Sequence, residues 1–331
     1  MTITDLQTAV RGLNPYQIEQ VSSQVAKYLK LNEELKQTRP TVCPVCDTVD
    51  ARFIKKGLQA GKQRYQCKEC GSKFTYDTKQ LTAHSHQPID SWITMIEDTL
   101  SLKPMDETAE KISVCHETSF NMRHKLLAFM EIMTVSNALL DELIETDETY
   151  VLESQKGVKC ETRKPRKHGE GATKRGLSDE QLCVCVATDR HDNLVATCVN
   201  RAKPSGDDLV NALSSHIVPK SVLLCDGATS YNQLAALMEC KKIELVGHES
   251  YDRVYHLNTV NNLHSRIKEM LRKFRGVASK YLNRYLALFT IIASFAKTTA
   301  AESTDILRRS LSAMREHVTY ASSQSTGLLE V

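Results

Sequence analysis

The chain has 331 residues, a formal net charge of +3, and 25% charged against 41% hydrophobic residues. Such a length predicts two or three domains, each with its own core, and no apolar run approaches the roughly 20 residues that cross a bilayer, which excludes a membrane partner. The N-terminus MTITDLQTAVRGLN has no charged region leading into an apolar one, and 11 cysteines, an odd number, argue for thiols and metal ligation over a disulfide framework; the setting expected is cytoplasmic and reducing.

Residues 1–40 read as a helical lead, with Ile18, Val21, Val25 and Leu29 on one side, and no chemistry attaches to them. Over 41–80, Cys43, Cys46, Cys67 and Cys70 form two C-x2-C pairs separated by twenty residues. Two such knuckles turn four thiolates toward one point, which is the donor set of a structural zinc ribbon. Arg52 to Ile54 and Arg64 to Gln66 alternate like two short strands, and Lys55, Lys56, Lys62, Arg64, Lys68 and Lys73 make the ribbon basic. A segment so short and polar has little besides a metal to hold it together. His84 and His86 follow closely, but four thiolates fill a zinc site, so both are read as linker residues.

Over 85–135 the pattern predicts a helix from Ile89 to Leu102, a short helix around Thr108 to Ile112, a turn at Ser113 to His116 and a helix from Thr118 to Met130. That is helix-turn-helix spacing. Asn121, Arg123, His124 and Lys125 are the side chains able to reach a DNA groove; three-helix packing without DNA is the alternative.

A mixed sheet flanked by helices is expected over 138–298, followed by a tail at 299–331. LLDELIETDETYV reads as a strand with Asp147 and Glu148 embedded in it, and a carboxylate inside a strand needs a reason. From Gln155 to Arg175 there are eight Lys or Arg, Arg166 and Lys167 among them, against two Glu, with three Gly and a Pro. Such a run forms no core and reads as a basic loop. QLCVCVATDR and NLVATCVN then give two strands joined at His191 to Asn193, with Cys183, Cys185 and Cys198 as buried thiols. DDLVNALSSHI reads as a helix and SVLLCDG as a buried strand ending at Asp226.

The last element is a basic amphipathic helix, HLNTVNNLHSRIKEMLRKFRGVASKYL, with no evident N-cap. Val260, Leu263, Ile267, Leu271 and Phe274 form its packing stripe, and Asn261, His264, Ser265, Lys268, Arg272 and Arg275 run beside it. Two basic tracts in one domain favour a polyanion such as nucleic acid. A carboxylate in the first strand, another ending a later strand and a polar side chain on this helix would suit hard divalent cations such as Mg²⁺ or Mn²⁺, which bridge to phosphates.

The order of ribbon, helix-turn-helix, IETDETYV, LLCDGATSY and HLNTVNNLHSRIKEMLRKFRGVASKYLNRYL resembles the transposases of bacterial insertion sequences, in the branch whose Asp-Asp-Glu triad is replaced by Asp-Asp-Asn with a following Lys. The resemblance implies a multidomain α/β protein with a ribonuclease H-like catalytic core. It implies metal-dependent cleavage and transfer of DNA strands at element ends, on DNA as partner and as a homo-oligomer at the nucleoid. It places Asp147, Asp226 and Asn261 as the Mg²⁺ or Mn²⁺ triad and Lys268 on phosphate, with Arg272 and Arg275 toward the DNA backbone. His264 is left between extra ligand, substrate contact and packing. A DNA-binding regulator with weakened catalysis and a purely hydrolytic nuclease are the other activities such a core allows.

Overall fold

The structure, a computed structural model, describes residues 40, 42–59, 61–75, 78, 81–83, 85–135, 139–156, 171–245, 254–274 and 276–295. The helical lead, the C-terminal tail, His84, Arg275 and the heart of the basic loop, with Arg166 and Lys167, lie outside the described residues. The chain divides into two compact units, with the described residues up to Phe129 in one and those from Met130 onward in the other. No described helix is long and apolar enough to cross a membrane.

The first unit opens with a three-stranded antiparallel sheet of β1 (Phe53–Gln59), β2 (Lys62–Cys67) and β3 (Lys73–Phe74). Both strands expected from the alternation are present, and β3 adds a third. Phe53, Tyr65 and Phe74 make its small core with Cys43 and Cys67, and the Phe53 and Phe74 rings meet edge-on at 5.4 Å. The two C-x2-C turns repeat one geometry. Asp47 N–H donates to the Cys43 carbonyl at 2.9 Å and Gly71 N–H to the Cys67 carbonyl at 3.0 Å. These equivalent residues both take positive φ, +55° and +73°, a conformation open to Gly and tolerated by Asp.

Three helices follow: α1 (Ile89–Leu100), α2 (Met105–Lys111) and α3 (His116–Val135). The helices come in the order read from sequence, with α2 and α3 each beginning earlier than expected and the turn between them carried by Ser113 at φ +55°. Arg123 departs from its expected place. It is 1% exposed, and its guanidinium donates to the Lys103 carbonyl at 2.9 Å and the Thr108 hydroxyl at 3.0 Å. An arginine engaged in this way does not face a groove. The cause is helical phase, since Ser119, Met122, Leu126 and Leu127 form the buried stripe on which position 123 falls. His124 is likewise buried, against the Phe120 ring at 4.2 Å. Lys125 is turned inward too, donating to the Ala83 carbonyl at 2.5 Å with its ammonium 5.7 Å from the Trp92 ring. Asn121 is half-buried.

The second unit is built on a five-stranded mixed sheet in the order β6-β5-β4-β7-β8. Its strands are β4 (Leu143–Leu152), β5 (Gln181–Thr188), β6 (Leu194–Arg201), β7 (Val222–Cys225) and β8 (Lys241–Glu244). Central β4 runs antiparallel to β5 and parallel to β7, and β7 runs parallel to β8. Helices α4 (Gly206–Leu213) and α5 (Tyr231–Leu237) cover one face, where Leu209, Leu213, Tyr231 and Leu234 pack on Ile144, Cys185, Leu223 and Cys225. Ser205 and Asp208 cap α4 reciprocally. Two further helices, α6 (Asn258–Lys273) and α7 (Leu282–Phe295), complete the unit. The cysteines at 183, 185 and 198 are buried thiols, as expected, and burial pushes each of them well up.

Candidate active site and metal centre

In the ribbon, Cys43, Cys46, Cys67 and Cys70 bring their sulfurs within 4.8 Å of one another. A zinc ion holding four thiolates at about 2.3 Å in a tetrahedron sets them about 3.8 Å apart. Cys43 and Cys70 lie at 3.8 Å and Cys46 and Cys67 at 3.9 Å, so the cage has the dimensions of the ion. Burial pushes the Cys43 thiol up to about 12, while hydrogen bonds from Thr48 bring Cys46 down to about 6. A divalent cation would ionise all four. These thiols can hold one zinc.

The second site is organised by the two-residue period of β4. Ile144, Thr146 and Glu148 alternate with Glu145 and Asp147, so the two sets face opposite sides of the sheet. On the α5 side, the Thr146 hydroxyl donates to the Tyr231 hydroxyl at 3.2 Å, and Tyr231 donates to Glu148. Burial raises the Glu148 carboxyl, and one of its oxygens has no partner among the described residues. On the α6 side stand Glu145 and Asp147.

The parallel register pairs Glu145 with Leu224. Continued two residues beyond that pair, one past the end of β7, it sets Asp226 opposite Asp147. Asp226 opens a turn through Gly227, at φ +89°, and accepts from Ala228 N–H at 3.1 Å. Lys242 on β8 braces that turn by donating to the Ala228 carbonyl at 3.1 Å. Burial pushes the Asp147 carboxyl up to about 7, with the charges of Glu148 and Asp226 adding to the rise and Lys268 opposing it. Two carboxylates and an ammonium therefore share one locality. A buried carboxyl repelled by its neighbours is short of positive charge, which is the electrostatic condition a divalent cation relieves.

Helix α6 supplies the rest. Val260, Leu263, Ile267, Met270 and Leu271 are buried as its packing face, and Phe274 stacks edge-on to Tyr285 at 4.7 Å. Asn261, Lys268 and Arg272 are exposed. His264, 7% exposed, places Nδ1 3.8 Å from an Asp147 carboxylate oxygen. Burial, with Lys268 nearby, lowers the imidazole to about 4, and its Nε2 has no partner among the described residues. Asp147 thus lies against His264 and within electrostatic reach of Asp226 and Lys268, and Asn261 stands one turn before His264 on the same helix.

One residue of this region was not singled out from sequence. Glu145, 1% exposed, accepts from the N–H groups of Thr259 at 3.0 Å and Val260 at 3.1 Å and from the Thr259 hydroxyl at 2.8 Å. Arg190 pairs with the same carboxylate, and His256 Nδ1 lies 3.3 Å from it. The available signals were the two-residue spacing from Asp147 and a helix that begins without a capping side chain.

Comparison with known proteins bears on the second unit. Residues 139–290 match the family model described as the ISXO2-like transposase domain. The chain is 25% identical over 260 residues to an uncharacterised protein in transposable element ISH50 of Halobacterium salinarum, across 75% of this chain and 84% of that one. Among solved structures, the Mos1 strand transfer complex matches with 12% identity and a TM-score of 0.23 over 66% of this chain and 75% of that one. A pre-cleavage Mos1 transpososome matches with 10% identity and a TM-score of 0.21 over 61% and 74%. Scores this low carry nothing about the site. The sequence matches agree with the resemblance to insertion-sequence transposases, and residues 139–290 are the stretch that is similar to the ISXO2-like transposase domain.

Proposed function

We propose that the protein is a DNA transposase whose second unit is a ribonuclease H-like core catalysing metal-dependent cleavage and transfer of DNA strands at element ends. The observation that supports this reading is the register that sets Asp226 opposite Asp147, with the charges of Asp226 and Lys268 acting on the Asp147 carboxyl, inside the stretch similar to the ISXO2-like transposase domain. Oxygen donors of this kind suit Mg²⁺ or Mn²⁺, and Asn261 would add an amide oxygen to the two carboxylates. A bound divalent ion supplies charge stabilisation at the transferring phosphate and activates the attacking hydroxyl. Asp147 and Asp226 hold the negative charge that draws the ion in, and Asp147 must give up its proton to do so. Lys268, exposed on α6, meets a phosphate oxygen as a point charge. His264 is neutral at physiological pH and keeps its buried Nδ1 edge against Asp147, which favours orientation of that carboxylate over proton transfer. Arg272 and Arg275 fall on the same stretch for the DNA backbone, and Arg166 and Lys167 add salt-dependent affinity.

The ribbon, with a structural zinc, and the three-helix segment are the proposed DNA readers. Within that segment Asn121 remains a groove candidate, and the inward-turned Arg123 and Lys125 serve the packing of the helices.

The test is cleavage and joining of an oligonucleotide duplex carrying the element's terminal sequence, in Mg²⁺ and in Mn²⁺. Asp147→Ala and Asp226→Ala should each abolish both steps while end binding persists. Cleavage without any joined product would replace the proposal with a hydrolytic nuclease, and end binding with no cleavage would replace it with a regulator.

A further inference from the structure

Helix α6 begins at Asn258 with Leu257 in the capping position, which offers no side-chain acceptor for the first N–H groups. Buried helix starts without such an acceptor are unfavourable. Here the acceptor comes from the centre of the sheet, 114 residues away in sequence, where Glu145 takes the N–H groups of Thr259 and Val260 and the Thr259 hydroxyl. Arg190, within the turn that joins β5 to β6, pairs with the same carboxylate and donates to the Val254 carbonyl at 2.5 Å, so the approach to the helix is tied down as well. His256 closes the group.

Two spacings give this anchor a second consequence. From Glu145 to Asp147 the strand advances by about 6.6 Å. From Val260 to His264 the helix advances by about 6 Å. The strand and the helix therefore run in step from one contact, Glu145 on Val260, to the next, Asp147 on His264. A carboxylate at 145 fixes both where α6 starts and how it is rotated, and Asn261 and Lys268 take their places relative to Asp147 from that.

We propose that Glu145 is a positioning residue: a buried carboxylate that caps α6 across the sheet and sets the register in which Asn261 and Lys268 face Asp147. The proposal rests on the metal-binding reading of Asp147 given above. It accounts for a charge held at the sheet centre, which a packing role alone would fill with an apolar side chain.

The experiment uses the full chain and two readouts, amide hydrogen exchange over 257–263 and Mn²⁺ affinity from the free-ion paramagnetic signal. Glu145→Gln keeps the volume and removes the charge. It should lose about tenfold in protection over that first turn and bind Mn²⁺ about fivefold more weakly. Glu153→Gln is the matched control, because Glu153 is also buried and paired, to Arg201 at 2.6 Å; both readouts should stay within about twofold of the parent. Thr259→Val, which deletes only the hydroxyl donor, should move both readouts in the same direction by a smaller factor, and it serves if Glu145→Gln does not fold. Unchanged protection in the variants at 145 and 259, or an equal effect from Glu153→Gln, overturns the anchor. Lost protection with unchanged Mn²⁺ affinity overturns the positioning role. Asp147→Ala separates the two readings: if it leaves Mn²⁺ affinity intact, the metal site itself is wrong, and the exchange data still decide whether Glu145 caps α6.

Discussion

Replacing Asp147 with Asn should stabilise the metal-free protein at about pH 8 while removing its response to divalent cations. In the folded chain, burial and the charges of Glu148 and Asp226 move this carboxyl from its ordinary 3.8 up to about 7. Between those values the folded state binds a proton that the unfolded state has released, so stability falls as pH rises and the loss is complete above about 7. At about 1.4 kcal/mol for each tenfold change in proton affinity, the ceiling is about 4 kcal/mol. The side chain is 21% exposed, and nearby water lowers that ceiling, so a gain of about 2 kcal/mol is expected. Urea unfolding with a chelator present, followed by circular dichroism, measures it; fluorescence does not serve, since the single tryptophan, Trp92, lies in the other unit. The difference between variant and parent should shrink toward zero near pH 4. A difference that is absent at pH 8, or the same at both pH values, would refute the assignment of Asp147 as a buried, electrostatically disfavoured carboxylate.

Arg123→Ala should destabilise the first unit by about 3 kcal/mol, through two lost hydrogen bonds and partners left buried, read by Trp92 fluorescence. Loss of sequence discrimination on DNA at unchanged stability would contradict its packing role. Cys67→Ser should abolish stoichiometric zinc and the fold of the ribbon together, and metal retained with the fold intact would count against the four-thiolate cage. The His264 imidazole, lowered to about 4 by burial, should remain neutral by NMR throughout the range above pH 5. Its contribution to stability should fall as pH drops from 6.5 toward 4, because the unfolded state takes up the proton first. A titration near 6.5 in the folded protein would contradict its burial beside Lys268.

The parts of the fold that follow from local rules were readable. Cysteine spacing located the ribbon, and the alternation of β4 and the 3.6-residue stripe of α6 located the elements that carry the candidate site. Helix phase was readable at Arg123 as well, but a basic side chain beside a turn suggested DNA more strongly than its place on the buried stripe suggested packing. β8 was missed because KKIE, a short edge strand with charged ends, has neither an apolar run nor clear alternation. Glu145 was missed for a different reason. Its role depends on a helix start 114 residues later, and only the assembled sheet brings the acceptor to the donors. Convergence of Asp147 with Asp226 likewise depends on the parallel pairing of β4 with β7, which no local pattern specifies.

The central claim is that Asp147 and Asp226 hold a divalent ion against a DNA phosphate. Its most direct test places a single phosphorothioate, in each stereoisomer, at the scissile position of an element end and measures single-turnover cleavage. Because sulfur binds Mg²⁺ poorly and Mn²⁺ better, one isomer should be cleaved slowly in Mg²⁺ and recover by at least about tenfold in Mn²⁺. Asp147→Ala and Asp226→Ala should show no cleavage in either metal. Equal rates in both metals for both isomers, or cleavage that survives loss of either aspartate, would contradict the account.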